Sequence, residues 1–159
     1  MFVNGIPFFT TYIRFGTSEH VPSRTVKPLA KALMNIVKLY AIGGFVVRNV
    51  LMDGEFEKVR PEVELLDINI SAEREHVGKI ERYHRTLKER CRCVLSDMRP
   101  VGCNAYQYLH KQIVIRLVYF CIMMVNAVPA AKGISDRFAP RGIVTGRRLN
   151  FKHLQAAFG

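Results

Sequence analysis

Apolar and polar residues alternate at the beginning of the chain in a pattern that predicts short strands. Phe2–Val3 and Ile6–Phe15 are rich in aromatic and β-branched residues, and Asn4-Gly5 between them is a hairpin-turn signal. Gly16–Ser23 is interrupted by Gly, Ser and Pro and leaves room for a short third strand at His20–Val21. We therefore expect three short strands before the first helix.

The first helix is predicted to begin near Ser23 or Thr25, where apolar residues start to recur at helical intervals. It is expected to end at Gly43-Gly44, because glycine readily adopts the left-handed conformation at a helix end. Its apolar stripe consists of Leu29, Leu33, Ile36, Val37 and Tyr40.

Two further strand candidates follow this helix. Phe45–Met52 is compact and β-rich, as a buried strand would be, and Asp53 comes directly after it. An acidic segment then leads to Val63–Ile70, which is the weaker of the two candidates.

The second half of the chain changes to helical periodicity. A helix is predicted over Ser71–Val94, followed by a break at Arg99–Cys103 and a second long helix that Asn104 caps and that ends before Pro129. The apolar face of the first of these helices comprises Val77, Ile80, Leu87, Cys91 and Val94, together with His84. In the second, over Tyr106–Val128, the expected core positions are Leu109, Ile113, Leu117, Phe120 and Met124.

Together these elements predict an α/β fold in which helices flank a mixed sheet. The length of 159 residues and the 49% content of hydrophobic residues fit one domain with a real core. We place this domain at residues 1–131 and a basic C-terminal extension at residues 132–159.

Composition narrows the classes of partner. The net charge of +11 favours a polyanion, most often nucleic acid. The most apolar run, Leu117–Val125, is far shorter than the roughly 20 residues of a membrane-spanning helix. The N-terminus lacks the basic region of a secretory signal. We therefore expect no membrane partner.

The four cysteines do not form a CxxC pair. His76, His84, Cys91 and Cys93 are close in sequence, but the thiols of a CxC pair on a helix point to opposite sides, which disfavours a structural zinc site. We expect reduced, free thiols and packed or solvated histidines.

Two carboxylates occupy positions where chemistry is expected. Asp53 follows a predicted buried strand, where α/β proteins place reacting groups. Glu81 leads one stripe of the long helix, at the spacing i, i+4, i+7, i+11, with Arg85, Lys88 and Arg92. Such a stripe suits a metal ion beside a phosphate backbone. A solvated helix face with an i,i+4 ion pair is the alternative, and spacing alone favours that alternative.

Three motifs that follow one another along the chain include these two carboxylates and resemble a known family. They are LMDGEF, then AEREHVGKIERYHRTLKERCRCVL, then NAVPAAKGISDRFAPRGIVTGRRLNF. In order, they resemble the integrase catalytic core of copia-type retrotransposons over most of the chain. The matching positions are Asp53-Gly54-Glu55-Phe56, Ile80-Glu81-Arg82 with Arg85-Thr86, and Pro140 with Thr145-Gly146-Arg147-Arg148.

The resemblance implies a ribonuclease-H-like fold and phosphoryl transfer by three carboxylates that hold two divalent cations, Mg²⁺ or Mn²⁺. Asp53 would be the second carboxylate and Glu81 the third. Arg85 and Lys88 would contact the phosphates of double-stranded DNA, at element ends and at the target. It also implies a nuclear location and leaves a homo-oligomer open.

The chain departs from the family at the first carboxylate. The family's first Asp lies on the opening strand, just upstream of the segment that matches MFVNGIPFF, whereas no acidic residue precedes Glu19 here. Asp67, Asp97 and Asp136 lie elsewhere in the pattern. We therefore expect an integrase core fragment with a weak metal site that is inactive as this single chain.

The C-terminal segment adds a further basic cluster. Residues 132–152 carry one acid, Asp136, and six bases, which are Lys132, Arg137, Arg141, Arg147, Arg148 and Lys152. We expect Arg147, Arg148 and Lys152 to contact phosphate without reading bases. Two alternatives to an integrase fragment remain: a catalytically silent nucleic-acid-binding domain, and a protein-interaction scaffold that uses the apolar last helix.

Overall fold

Strands and helices alternate in the computed structural model, which describes residues 5–10, 12–64, 66–70, 78–98, 109–131, 133–147 and 150–154. Two 3₁₀ helices, Gly54–Glu62 and Phe151–Leu154, accompany the regular elements. In chain order these elements are β1 (Gly5–Phe9), β2 (Gly16–His20), α1 (Val26–Ile42), β3 (Asn49–Met52), β4 (Asp67–Ile70), α2 (Gly78–Asp97), α3 (Lys111–Val125) and α4 (Pro140–Thr145).

The first two strands form an antiparallel hairpin, with Gly5 opposite His20 and Phe9 opposite Gly16. The predicted turn at Asn4-Gly5 is wrong in its second residue, because Gly5 lies within β1. Asn4 and the predicted strand Phe2–Val3 lie outside the described residues. The chain reverses instead between Thr10 and Phe15, where Arg14 adopts a left-handed φ of 58°.

This reversal also corrects the expected strand bounds. Ile6–Phe15 is not one strand, because the Thr10 N–H donates to the Phe15 carbonyl at 2.9 Å and closes a turn. The segment that appeared broken by Gly and Ser is the partner strand β2, which begins at Gly16 instead of His20. The composition of Gly16–His20 does not favour a strand, but pairing with β1 supplies the backbone hydrogen bonds of one.

The prediction of α1 is confirmed. The helix ends where the N–H groups of Gly43 and Gly44 donate to the carbonyls of Tyr40 and Ala41, and Gly44 has a φ of +79°. The N-terminal half of its apolar stripe packs on the β3–β4 region, and the C-terminal half packs on Phe15 and Val144. Buried members of the stripe are Leu29, Leu33, Ile36 and Tyr40.

A parallel pair, β3 with β4, forms the second sheet, in the register Asn49 to Asp67 and Met52 to Ile70. The 3₁₀ helix Gly54–Glu62 makes the crossover that a parallel connection needs. Both strands are shorter than predicted. The mixed helix and strand content is confirmed, but the described strands form two separate pairs instead of one mixed sheet, since β1 and β3 each have a single strand partner among the described residues.

Helices α2 and α3 pack on each other through a shared apolar cluster, which we call the α2–α3 cluster. Its buried residues are Tyr83, Leu87, Leu117, Cys121 and Ile122. Residues 71–77 and 99–108 lie outside the described part, so the predicted starts of both helices do too. In the described part, α3 begins at Lys111, and the imidazole of His110 accepts a hydrogen bond from the Gln112 N–H at 3.3 Å.

The apolar stripe expected on α3 is partly wrong. Ile113 and Met124 are exposed, whereas Ile115, Cys121 and Ile122 are buried with Leu117. The buried face of α3 differs from the predicted one because the helix packs on both α2 and β2. The residues that face these two neighbours are the ones shielded from solvent.

Asn126 joins three elements at the end of α3 and is only 3% exposed. Its side-chain Nδ2 donates to the Gly16 carbonyl at 2.6 Å, and its Oδ1 accepts from the Gly16 N–H at 3.0 Å. Its backbone N–H donates to Ile122, and its carbonyl accepts from the Arg141 N–H. The residue therefore links α3, β2 and α4.

The short helix α4 packs against α1, and Val144 is fully buried there. A side chain at Gly43 would clash with the Val144 carbonyl, so the last turn of α1 and α4 approach closely. Part of the predicted C-terminal extension thus contributes to the core, while the domain boundary at residue 131 stays a prediction. Among the described helices none has the length and apolarity to cross a membrane.

Replacement of Asn126 by Ala should lower the free energy of unfolding by roughly 2–4 kcal/mol, because it leaves the buried N–H and carbonyl of Gly16 without partners. Asn35→Ala is the matched control: the Asn35 amide is half-buried and donates to Glu19 at 2.9 Å. We expect this control to cost about 1 kcal/mol or less. Urea denaturation measures both, and equal losses would contradict the role given to Asn126.

Candidate nucleic-acid interface

Helix α2 separates a buried face from a charged one. Tyr83 and Leu87 are its buried residues. The Tyr83 ring stacks on Phe9 of β1, with ring centroids 5.0 Å apart, and lies so close to Gly16 that any side chain there would clash. The charged face stays exposed and includes every member of the predicted stripe, namely Glu81, Arg85, Lys88 and Arg92.

An open depression of about 370 Å³ runs along this face. It brings together the four stripe residues that the sequence predicted. The lining residues are Glu81, His84, Arg85, Lys88, Glu89 and Arg92. Three permanent cations and two carboxylates therefore share one shallow surface, which suits an extended anion better than a small enclosed ligand.

His84 was expected on the apolar face of the helix, and the structure places it at the wall of the depression, half-buried. Burial lowers the pKa of His84 below its usual value, Lys88 lowers it further, and Glu81 acts in the opposite direction. The imidazole is therefore neutral at neutral pH, so the positive charge of the depression comes from Arg and Lys alone.

The neighbouring Tyr83 occupies the buried position instead. Its hydroxyl has no hydrogen-bond partner among the described residues, and burial raises the pKa of this phenol. The sequence analysis missed Tyr83, although this residue lies three positions after Ile80 and four before Leu87 and so shares the helix face of both.

Asp53 follows directly after β3 and opens the crossover helix, as the sequence predicted. Its carboxylate accepts a hydrogen bond from the Gly54 N–H at 2.7 Å, and the residue is exposed. This bond caps the first turn of the 3₁₀ helix. Asp53 thus has a local structural role whether or not it binds a ligand.

The structure does not bring Asp53 to the depression that contains Glu81. Helix α2 packs on α3 and β1, while β3 pairs with β4, and Asp53 is not among the residues that line the depression. Within the described ranges, no three or more His, Cys, Asp or Glu side chains gather as metal ligands. The side chains of these ranges therefore do not fit a held pair of divalent cations, and the cation shared by Asp53 and Glu81 stays a prediction.

The structure describes part of the cysteine and histidine set that was considered for a zinc site. Cys91, Cys93 and Cys121 are free thiols, and Cys91 contacts Cys121 instead of Cys93. His76 and Cys103 lie outside the described residues.

Of the described C-terminal bases, Arg137, Arg147 and Lys152 are exposed and Arg141 is half-buried. Gly146 ends α4 with a φ of +67°, and the Arg147 N–H donates to the Thr145 hydroxyl. Lys152 lies in the second 3₁₀ helix, where its N–H donates to Asn150. Arg148 lies outside the described residues. Phosphate contact by Arg147, Arg148 and Lys152 stays a prediction.

Comparison with known proteins gives a fold. No protein-family model matches the chain, and no curated protein matches it. Twenty-three chains of known structure do match. One is the catalytic core domain of BIV integrase, with a TM-score of 0.52 and 15% identity over 89% of this chain and 82% of that chain. The chain therefore has the fold of an integrase catalytic core, as the sequence motifs implied.

The geometry of the depression predicts how the His84 pKa responds to its neighbours. Lys88→Gln should raise the pKa of His84 and Glu81→Gln should lower it, because each removes one charge close to the imidazole. Lys38→Gln on the distant helix α1 should leave it unchanged. NMR titration of the imidazole measures all three, and identical titration curves would contradict the arrangement.

The lowered pKa of His84 also sets the sign of its effect on stability. The unfolded chain takes up this proton near the ordinary value of 6.5, before the folded chain does. The contribution of His84 to the free energy of unfolding is therefore present above pH 6.5 and is lost as the pH falls through the lower folded-state pKa.

Proposed function

We propose that this chain is an integrase catalytic-core fragment of the copia-type retrotransposon class, which binds duplex DNA and does not catalyse strand transfer by itself. The three ordered sequence motifs and the integrase-core-like fold support the lineage. The single observation that carries the binding activity is the depression on α2, where Arg85, Lys88 and Arg92 lie exposed side by side.

The chemistry of these bases favours phosphate. Arg binds phosphate oxygens with two parallel N–H groups, and Lys adds a compact charge. One face of a long helix spaces the three side chains over about two turns, so they can meet neighbouring phosphates along a backbone. Contacts between these bases and phosphate carry no sequence information, so we expect affinity that is tolerant of sequence and steeply dependent on salt.

The two carboxylates in the depression shape the same proposal. Glu81 and Glu89 carry two negative charges against the three bases, so they weaken the attraction of the surface for phosphate. Glu81 is also the acid that the family resemblance assigns to a divalent cation. Because no three metal ligands gather among the described residues, we expect weak binding of Mg²⁺ or Mn²⁺, and no reaction step of this chain is assigned to either ion.

Two further properties follow from this proposal. We expect a nuclear location, because the nucleus is the compartment in which an integrase-type domain meets target DNA. Localising a tagged chain tests this expectation. Self-association into a homo-oligomer is tested by sedimentation of the purified protein. Neither property carries the DNA-binding proposal.

The salt dependence of DNA binding tests the proposed interface. Each phosphate contact contributes about 0.9 to the slope of log affinity against log salt. The triple variant Arg85→Gln, Lys88→Gln, Arg92→Gln should reduce that slope by roughly 2–3 and should weaken binding about tenfold or more at low salt, equally for unrelated sequences. Fluorescence anisotropy with a labelled duplex measures both quantities.

The matched control removes the same net charge from another helix. Lys27, Lys31 and Lys38 are exposed on α1, and their triple replacement by Gln should change the slope far less. If both triple variants lost affinity alike, binding would reflect net charge and not the α2 face. If affinity did not change with salt at all, the scaffold alternative would be favoured, with exposed Ile113, Tyr119 and Met124 of α3 as its surface.

Catalytic silence is tested by a strand-transfer assay with Mg²⁺ or Mn²⁺. We expect no product above the no-protein background for the 159-residue chain, because no three carboxylates or other metal ligands gather among its described residues. The variants Asp53→Asn and Glu81→Gln should behave identically to the parent. Product that disappears in both variants would show that the two carboxylates do share a catalytic cation.

A further inference from the structure

The contact between α2 and α3 contains two cysteines from helices that are distant in sequence. Cys121 is 2% exposed and belongs to the α2–α3 cluster, and Cys91 packs against that cluster from α2. The two thiols contact each other at the α2–α3 interface. Neither is a candidate for the DNA-binding surface.

We propose that Cys91 and Cys121 form a disulfide when the protein meets a hydroperoxide, which makes the α2–α3 contact a site of reversible oxidative modification. The pair has the features that such a site needs. One sulfur is partly exposed and within reach of an oxidant, and the second is buried directly behind it, ready to resolve the oxidised first sulfur.

Exposure gives the two thiols different roles. Cys91 is half-buried and open to the oxidant, whereas Cys121 is 2% exposed. The contact with Cys121 lowers the pKa of the Cys91 thiol, and the contact with Cys91 together with burial raises that of Cys121. Cys91 is therefore the sulfur that attacks first. Arg90, on the same turn of α2 as Cys91, adds positive charge close to the pair.

The reaction balances with hydrogen peroxide as the oxidant. The Cys91 thiolate attacks one peroxide oxygen, the O–O bond breaks, and hydroxide leaves to give a sulfenic acid at Cys91. The Cys121 sulfur then attacks the Cys91 sulfur, the S–O bond breaks, and the Cys121 thiol proton leaves with the hydroxyl as water. The two thiols lose two electrons in total and the peroxide gains them.

The third described cysteine provides an internal control. Cys93 is exposed and is two residues from Cys91, which places it on the opposite side of α2. Exposure alone would make Cys93 the most reactive thiol. The proposal instead assigns the disulfide to the less exposed Cys91, because that thiol contacts the Cys121 sulfur.

The experiment treats the folded chain with hydrogen peroxide, blocks the remaining thiols under denaturing conditions, and maps the peptides by mass spectrometry with and without reductant. We expect a Cys91–Cys121 peptide pair that disappears on reduction, and blocking at two cysteines where the reduced protein is blocked at four. The midpoint of thermal unfolding should rise on oxidation and return on reduction, because the bond ties α2 to α3.

The variants separate the proposal from general thiol oxidation. Cys93→Ser should retain the disulfide, and Cys91→Ser, at a half-exposed position that tolerates a hydroxyl, should lose both the peptide pair and the rise in unfolding temperature. Cys121→Ala provides the second loss variant without burying a new polar group. A disulfide that instead joins Cys93 or Cys103, or oxidation of Cys91 to its sulfinic acid with no linked peptide, would overturn the proposal.

Discussion

The amide of Asn126 and the bare backbone of Gly16 form the contact on which the placement of every functional element depends. Asn126 ends α3, and its side chain pairs with both polar groups of Gly16 at the start of β2. On its other side, Gly16 lies against the ring of Tyr83, so a side chain at this glycine would displace α2. The carbonyl of Asn126 also accepts from Arg141 at the start of α4. Four elements thus meet within a few ångströms of one residue pair, and the outward orientation of the charged face of α2 follows from this packing.

That packing explains how α2 can be fixed by one buried face and carry many charges on the other. Tyr83 and Leu87 contribute the buried contact with α3, and the Tyr83 ring also stacks on β1. The exposed face of the helix is free to carry charge, because its side chains contribute little to the core. In water, attraction between its bases and a single small anion is weak, but several bases spaced along one helix act together on a polyanion and release its counterions. A surface of this kind therefore favours an extended phosphate backbone over a small anion.

Sequence periodicity was sufficient wherever the determining interactions are local. It gave α1 with its glycine stop, the stripe from Glu81 to Arg92, and the position of Asp53 after a strand, since each depends on neighbours within one or two turns. It failed where contacts between residues distant in sequence determine the local structure. Gly16 begins a strand because β1 pairs with it, and the turn before it requires Arg14 in a left-handed conformation. Asn126 looked like the polar end of an apolar run, and its partner lies 110 residues away in sequence. Tyr83 took the core position that the pattern assigned to His84, because Phe9 and Gly16 shape a pocket for a flat ring.

The two candidate activities make different demands on the fold. The bases of the depression are all on one helix, so their mutual spacing is fixed by helical geometry and survives small changes elsewhere. Asp53 and Glu81 are on different elements: β3, which Asp53 follows, packs with β4 against the N-terminal half of α1, whereas α2 packs with α3 and β1. Ligands of a catalytic cation must be held within about 0.5 Å of their working positions. A cation shared by these two carboxylates would therefore depend on the packing of several elements at once, whereas the proposed phosphate contacts would depend on α2 alone.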